Sequence, residues 1–219
     1  SGFCIDRTEV SVATYRTCVE AGACTAPDST TGNAYCNWGR SGADDHPVNC
    51  VDWRQSKTFC EWSGHDGGAR RLLREAEWEY AAGGRHGTTY PWGNEATDGS
   101  RANLCGAECE LGWRNANWRD EFARTAPVSS LPSGATPEGV LGLGGNVWEW
   151  VEDEYVSDGY AQHDAEGHLR ARDVDRNISR VLRGGGWNDG VAASARAAYR
   201  DRHAIANRDD DVGFRCAAG

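Results

Sequence analysis

The chain is nearly devoid of lysine: Lys57 stands alone, and the other basic residues are arginine. That bias reflects GC-rich coding and carries no functional meaning. Positive charge is short overall, since 33 acidic residues face 23 basic ones and leave a net charge of −10. Such a balance argues against nucleic acid and against anionic membrane surfaces, both of which favour a basic face. No apolar run approaches the roughly 20 residues of a transmembrane helix, which excludes direct membrane insertion through one. A starter methionine and a signal peptide are also missing. The chain opens at Ser1-Gly2-Phe3 and reads as a mature or excised segment. No Cys-x-x-Cys pair occurs, which removes the commonest zinc-ribbon and thioredoxin spacings. His46, His65, His86, His163, His168 and His203 show no metal-ligand spacing and read as solvated side chains.

What is present speaks for a folded domain. Ten Trp and seven Tyr exclude a disordered chain, while 28 Gly imply many loops around an aromatic centre. Nine cysteines are too many to be casual. Cys18 and Cys24 flank a short Gly-containing turn, and Cys105 and Cys109 flank another. Local staples of this kind point to an oxidising compartment, so the protein is expected to be secreted, periplasmic or at the cell surface. An odd count leaves at least one thiol free or paired between chains.

The periodicity predicts three helices near the start. Residues 3–7 read as a short strand. Ser11 then caps a helix with Val12, Tyr15 and Val19 on one face, ending at Gly22. Asp52 and Gln55 form a capping-box pattern for a second helix, which runs through Phe59, Cys60 and Trp62 to Gly64. The third is Glu75–Ala82, stopped by Gly83-Gly84. Beyond residue 85 short apolar runs alternate with Gly, Asn, Asp and Pro. Tyr90–Asn94, Ala126–Val128, Asn146–Trp150 and Arg180–Gly185 are expected as small strands among loops. With no linker and no repeat, residues 1–219 read as one α+β domain.

Single motifs are weak. Gly184-Gly185-Gly186 lacks the Lys-Ser/Thr and the helix of a phosphate loop. Glu149 and Glu152 resemble a catalytic carboxylate pair no more than other surface acids do. The order of motifs is far more specific. Phe3-Cys4-Ile5-Asp6-Arg7-Thr8-Glu9-Val10, His46-Pro47-Val48, Val51-Asp52-Trp53, Phe59-Cys60-Glu61-Trp62 and Glu75–Ala82 are followed by Tyr90-Pro91-Trp92-Gly93-Asn94. Gly145-Asn146-Val147-Trp148-Glu149-Trp150, Arg183-Gly184-Gly185 and Gly213-Phe214-Arg215-Cys216 complete the series. In that order they resemble the formylglycine-generating, or sulfatase-modifying factor, family over nearly the whole chain. The resemblance implies a loop-rich variant of the C-type lectin fold, with low regular secondary structure and a disulfide between Cys60 and Cys216. A further disulfide is expected between Cys36 and Cys50. The family usually carries a Gly-rich strand before the point where this chain begins, which implies truncation or a partner strand or chain at the N-terminus.

The family also implies calcium. Its first site falls here on the side chains of Asn103 and Asp120 and the carbonyls of Leu104 and Phe122, an all-oxygen set that suits a hard cation. A weaker second site would use Glu149 with the carbonyls of Gly145 and Val147, its fourth ligand position being occupied by Gly142.

Two departures from the family matter. Active members place two copper(I)-binding cysteines shortly after Arg-Gly-Gly, and soft thiolates are what copper(I) requires. Residues 186–196 read Gly-Trp-Asn-Asp-Gly-Val-Ala-Ala-Ser-Ala-Arg, without cysteine, so copper is not expected and no catalytic residue is assigned. The other departure is Leu73-Arg74, where a capping Thr is usual; the third helix then needs another partner at its N-terminus or is about 1 kcal/mol weaker.

The reading that follows is a non-catalytic binding module for a protein, peptide or glycan. Its groove would be lined by Trp148, Trp187, Asn188, Asp189, Arg196, Tyr199, Arg200 and Arg202, aromatic and Arg groups being those that carry interface energy. One alternative is the copper oxidase with its chemistry moved to a cysteine such as Cys4. Another is a display protein like the variable proteins of diversity-generating retroelements. Residues 188–195 and 201–212 are mostly types reachable from Asn codons by changes at adenine.

Overall fold

The computed structural model describes residues 2–27, 33–64, 68–157 and 178–219. His65, His163 and His168 lie outside the described residues. The first helix, α1 (Val12–Glu20), starts where Ser11 Oγ accepts the Thr14 N–H at 3.2 Å. The second, α2 (Trp53–Ser63), carries the full capping box: Asp52 accepts from Gln55 N at 2.9 Å, and Gln55 Oε1 accepts from Asp52 N at 3.1 Å. The third, α3 (Glu75–Glu79), is shorter than expected. Its continuation widens into a π turn over Tyr80–Gly84, because Gly83 leaves helical geometry and packs its backbone against Thr88.

Two small sheets accompany the helices. In the first, β7 (Cys216–Ala218) lies between β1 (Cys4–Ile5) and β2 (Arg70–Leu72), antiparallel to both, so the two ends of the chain meet. The second runs in the order β5 (Arg200–Ala204), β4 (Ser179–Arg183), β3 (Trp148–Glu154), β6 (Val212–Gly213), with β6 parallel to β3. Two expected strands do not form. Tyr90–Asn94 is a tight turn in which Tyr90 and Gly93 exchange backbone bonds of 2.9 and 3.0 Å. Ala126–Val128 contains Pro127, which has no N–H to give a ladder, and its neighbours bond elsewhere: Ala126 N to the Asn146 side chain and Val128 N to Asp45 O. Strand β5 carries no sequence signal, since Arg-Asp-Arg-His-Ala offers no apolar alternation.

An aromatic centre joins the helices to β7. Tyr15 stacks on Phe59 at 5.4 Å, and Phe59 meets Phe214 edge-on at 5.5 Å. Beside them Cys60 is bonded to Cys216, closing a separation of 156 residues. Cys18–Cys24, Cys36–Cys50 and Cys105–Cys109 are the other disulfides, and Cys4 is the one free thiol, exposed on β1. Four disulfides fit an oxidising compartment. Among the described residues no helix is long and apolar enough to cross a membrane.

Candidate functional site

The family motifs turn out to be fasteners as much as site residues. Arg183, at the end of β4, is fully buried. Its guanidinium pairs with Glu79 and donates to the carbonyls of Ala197 and Tyr199, each at 2.7 Å, which pins the segment approaching β5. Gly185 follows with φ of 85°, and a Cβ there would lie 3.0 Å from Ser194 Oγ. This close approach folds residues 186–196 back on the turn.

That stretch closes on itself through oxygen chemistry. Asp189 accepts from Gly186 N at 2.8 Å. Burial raises its carboxyl pKa, and hydrogen bonds from Gly186 N, Ser194 and Trp148 work against the rise. Ser194 is buried and donates to Val191 O at 2.9 Å. Nearby, burial pushes Asp211 up to about 6, opposed by a hydrogen bond from Asn188.

The eight expected groove residues divide into two sets. Trp148 and Trp187 are only 5% and 4% exposed, with Trp187 Nε1 donating to Asp210 O at 3.1 Å. Arg200 grips Glu75 with Nε and Nη2 at 2.5 and 2.8 Å and lies over the Tyr155 ring. These three therefore support the face rather than line it: the indoles fill the core, and the guanidinium is held by a buried carboxylate. Arg196, Tyr199 and Arg202 are exposed and Asn188 and Asp189 half-buried, but Arg202 shares its side of β5 with Arg200, whereas Tyr199 turns to the other side against Trp148. Arg202 sits 4.6 Å above the Tyr155 ring.

One residue of this face was missed. Trp113 is 64% exposed, and its Nε1 donates to Asn188 O at 2.8 Å. Val191, 60% exposed, and Tyr199, 40% exposed, extend the apolar surface. The only sequence signal for Trp113 was a Trp inside a Gly- and Asn-rich loop.

At the first calcium position Asp120 is tied to Leu104 and Phe122, and Asn103 precedes Leu104 in the chain. Asp120 accepts from Leu104 N at 3.1 Å and from Phe122 N at 2.9 Å, and burial raises its pKa to about 6. Asn103 donates through Nδ2 to Arg124 O and to Asn146 Oδ1, leaving its buried Oδ1 without a partner. A buried amide oxygen without a donor and a carboxylate beside two main-chain segments fit a hard cation.

The second position does not fit one. Glu149 is fully buried and saturated: Arg215 reaches both carboxylate oxygens at 2.7 to 2.9 Å, and Trp78 Nε1 donates to one at 2.9 Å. The guanidinium supplies the charge that the cation was expected to bring. Gly142, in the vacated ligand position, has φ of 70°, and a Cβ on it would lie 2.5 Å from both carboxylate oxygens of Glu9.

Cys4 is remote from the turn after β4 in topology, being on the other sheet, where it lines a groove of about 800 Å³ with Arg74 and Tyr80. The other eight cysteines are consumed in disulfides.

Together the fold and face define a disulfide-braced, loop-rich domain of the C-type-lectin-like class, its exposed surface built on the second sheet and the loops around it. Residues 1–219 match the sulfatase-modifying factor enzyme 1-like domain throughout, and the chain belongs to that family. It is 34% identical over 191 residues to the formylglycine-generating enzyme of Streptomyces coelicolor, covering 81% of this chain and 54% of that protein. It is also 34% identical over 180 residues to the inactive C-alpha-formylglycine-generating enzyme 2 of Bos taurus, covering 80% and 51%. The chain thus spans about half the length of these relatives. Among solved structures, PvdO from Pseudomonas aeruginosa superposes with a TM-score of 0.76 at 27% identity, over 99% of this chain and 80% of that one. Treponema denticola variable protein 1 gives 0.66 at 21% identity, over 100% and 84%, and shows the shared fold alone.

Proposed function

We propose that this domain is a non-catalytic binding module of a secreted, periplasmic or cell-surface protein, taking a protein, peptide or glycan on the face of Trp113, Val191, Arg196 and Tyr199. One observation carries the reading: a single thiol remains, Cys4, and it lies on the sheet opposite the Arg-Gly-Gly turn. Copper(I) oxidation needs paired soft ligands. The turn instead offers Asp189 and Ser194, already engaged with each other's neighbourhood. Identity does not separate the readings, since the active and the inactive relative are equally similar.

Calcium at Asn103 and Asp120 would brace the loops under this face. The outer edge of β1 leaves room for a partner strand ahead of residue 1. Nucleic acid is not a fitting ligand for a chain of net charge −10.

The deciding experiment supplies copper(I), oxygen and a Cys-containing sulfatase-type peptide, and follows the peptide by mass spectrometry. No conversion of the thiol to an aldehyde is expected. Turnover that survives Cys4→Ser would overturn the non-catalytic reading, and turnover abolished by that change would assign the chemistry to Cys4.

The display-protein reading has one observation in its favour. Several positions in the two candidate variable segments are exposed, among them Val191, Asp201, Arg202 and residues 206–208. An adenine-rich copy of the coding segment beside the gene would establish it.

A further inference from the structure

Strand β1 has an inner edge that is filled and an outer edge that is open. Its register against β7 sets Cys4 opposite Ala218 and Ile5 opposite Ala217, and one step on Asp6 N donates to Cys216 O at 2.9 Å. In an antiparallel ladder, opposed residues alternate between pairs that exchange backbone bonds and pairs that do not. Asp6 and Cys4 therefore turn their backbone groups towards β7, while Phe3, Ile5 and Arg7 turn theirs outward. The outward carbonyl of Arg7 is taken by Leu141 N at 2.8 Å. Those of Phe3 and Ile5 face no strand among the described residues, because β1 is the end of its sheet.

This pattern is self-complementary about one residue. With β1 of a second copy laid antiparallel along the open edge, on a twofold axis at Cys4, Phe3 exchanges backbone bonds with Ile5 of the partner subunit. Cys4 then falls opposite Cys4 of the partner subunit, in a pair without backbone bonds. Such pairs hold their Cα atoms about 4.5 Å apart. That lies inside the roughly 4.4–6.8 Å that a disulfide spans. Cys4 is exposed, and it is the one thiol left beside four disulfides.

The surroundings favour the same occupant. Phe3 and Ile5 share the face opposite Cys4. Phe3 meets the Tyr80 ring edge-on at 6.2 Å, and Tyr80 is 49% exposed in the groove beside β1. The charged residues of that groove balance, Arg74 and Arg85 against Glu77 and Glu138. A chain of net charge −10 repels its own copy, and it does so least where the local charge is zero.

We propose that β1 pairs with β1 of a second copy and that Cys4 closes this interface as an intermolecular disulfide. The bond forms by exchange with a low-molecular-weight disulfide such as oxidised glutathione. One Cys4 thiolate attacks that disulfide and expels the first glutathione thiolate. Cys4 of the partner subunit then attacks the mixed disulfide and expels the second. The two Cys4 thiols give up two protons and two electrons, and the glutathione disulfide is reduced to two thiols. The interface lies on the first sheet and does not depend on what the outer face binds, so its failure would leave the binding-module reading standing.

Incubation of the whole chain in a glutathione redox buffer tests it, with dimer yield read by non-reducing electrophoresis and light scattering. Cys4→Ser combined with Ser129→Cys places the thiol at another exposed position and supplies the yield of chance collision. The wild type is expected to give at least tenfold more disulfide-linked dimer than that control, with Cys4 joined to Cys4 in the peptide map. Tyr80→Glu, which keeps the thiol but replaces the exposed ring with a charge, should fall to the control yield. Equal yields from wild type and control would overturn the proposal, as would Cys4 recovered free or only as a glutathione adduct. A yield that Tyr80→Glu leaves unchanged would overturn the strand-paired interface, because the thiol alone would then suffice.

Discussion

Asp153, in β3, accepts the Glu75 N–H at 2.6 Å and so caps α3 from a different element. The Glu77 carboxylate completes the end by accepting from Arg74 N at 2.9 Å. The family's Thr cap is missing, and a strand neighbour does its work. Asp153→Ala should therefore destabilise the domain by about 1 kcal/mol, within the usual 0.5–2 kcal/mol range for a lost cap. Arg74→Thr placed in that background should recover part of the loss, which chemical denaturation of the two variants would read directly.

Reduction should act unevenly. The Cys60–Cys216 bond closes 156 residues, whereas Cys105–Cys109 closes four. Chain entropy assigns roughly 5 kcal/mol to the first and roughly 2 kcal/mol to the second. Replacing Cys60 and Cys216 with Ser is expected to lower the melting temperature far more than replacing Cys105 and Cys109. Equal losses would show that native-state strain, not loop closure, governs these bonds.

Local signals were legible where a side chain answers to its own neighbours. Ser11 and the Asp52/Gln55 pair cap α1 and α2 as their spacing demanded. The motif order gave the fold because Arg183, Asn146, Glu149 and Arg215 each satisfy buried groups far along the chain. What stayed hidden depends on distant partners. The saturation of Glu149 by Arg215 needs two residues 66 apart to meet. The capture of Arg200 by Glu75 spans 125 positions. Neither separation leaves a periodic trace, so a carboxylate reads as a metal ligand and an arginine as a groove residue until their partners are seen.

Calcium should stabilise the fold through Asp120. Chelation is expected to lower the melting temperature of the wild type, and Asp120→Ala should remove most of the sensitivity that depends on that carboxylate. A wild type indifferent to chelator would refute calcium binding at this position. The choice of readout matters, because Asp120 also accepts two backbone N–H bonds and its loss destabilises the loop even without metal. The difference with and without chelator, not the melting temperature alone, is the measurement.

A pH effect follows from His203 on β5, whose Nδ1 lies 2.8 Å from Asp209. Asp209 holds the imidazolium, with Asp211 and Asp201 adding to it, and its pKa rises above the ordinary value against a desolvation penalty. Asp209 is correspondingly lowered, first by His203. Across the strand pair stands Arg180, and the Trp150 ring lies edge-on. A raised histidine stabilises fully below its unfolded value of about 6.5 and loses that contribution as pH rises through the folded value. Stability should thus decline on the alkaline side of about pH 6.5, and His203→Gln should flatten that decline. Melting curves between pH 6 and pH 8.5 would show it, and parallel curves for the two proteins would refute it.

The outer face is testable without knowing the natural ligand. Trp113 is 64% exposed yet oriented by its bond to Asn188 O, and Tyr199 rests 5.9 Å from the buried Trp148 ring. An exposed indole held in one orientation has little conformational entropy left to lose on binding, which is the property that makes aromatic residues interface anchors. Removing it exposes no core, so Trp113→Ala should change stability by no more than about 0.5 kcal/mol. Its effect on binding should be larger. Against a peptide or glycan array, the wild type is expected to select acidic or aromatic members, since Arg196 is exposed three residues before Tyr199 and arginine pairs best with carboxylates. For the members selected, Trp113→Ala and Tyr199→Ala should each weaken binding by about 1–3 kcal/mol, roughly fivefold or more. Ser129→Ala, away from this face, should leave it unchanged. Selection that persists in both aromatic variants would place the binding surface elsewhere, and Arg196→Ala would then show whether charge alone had done the selecting.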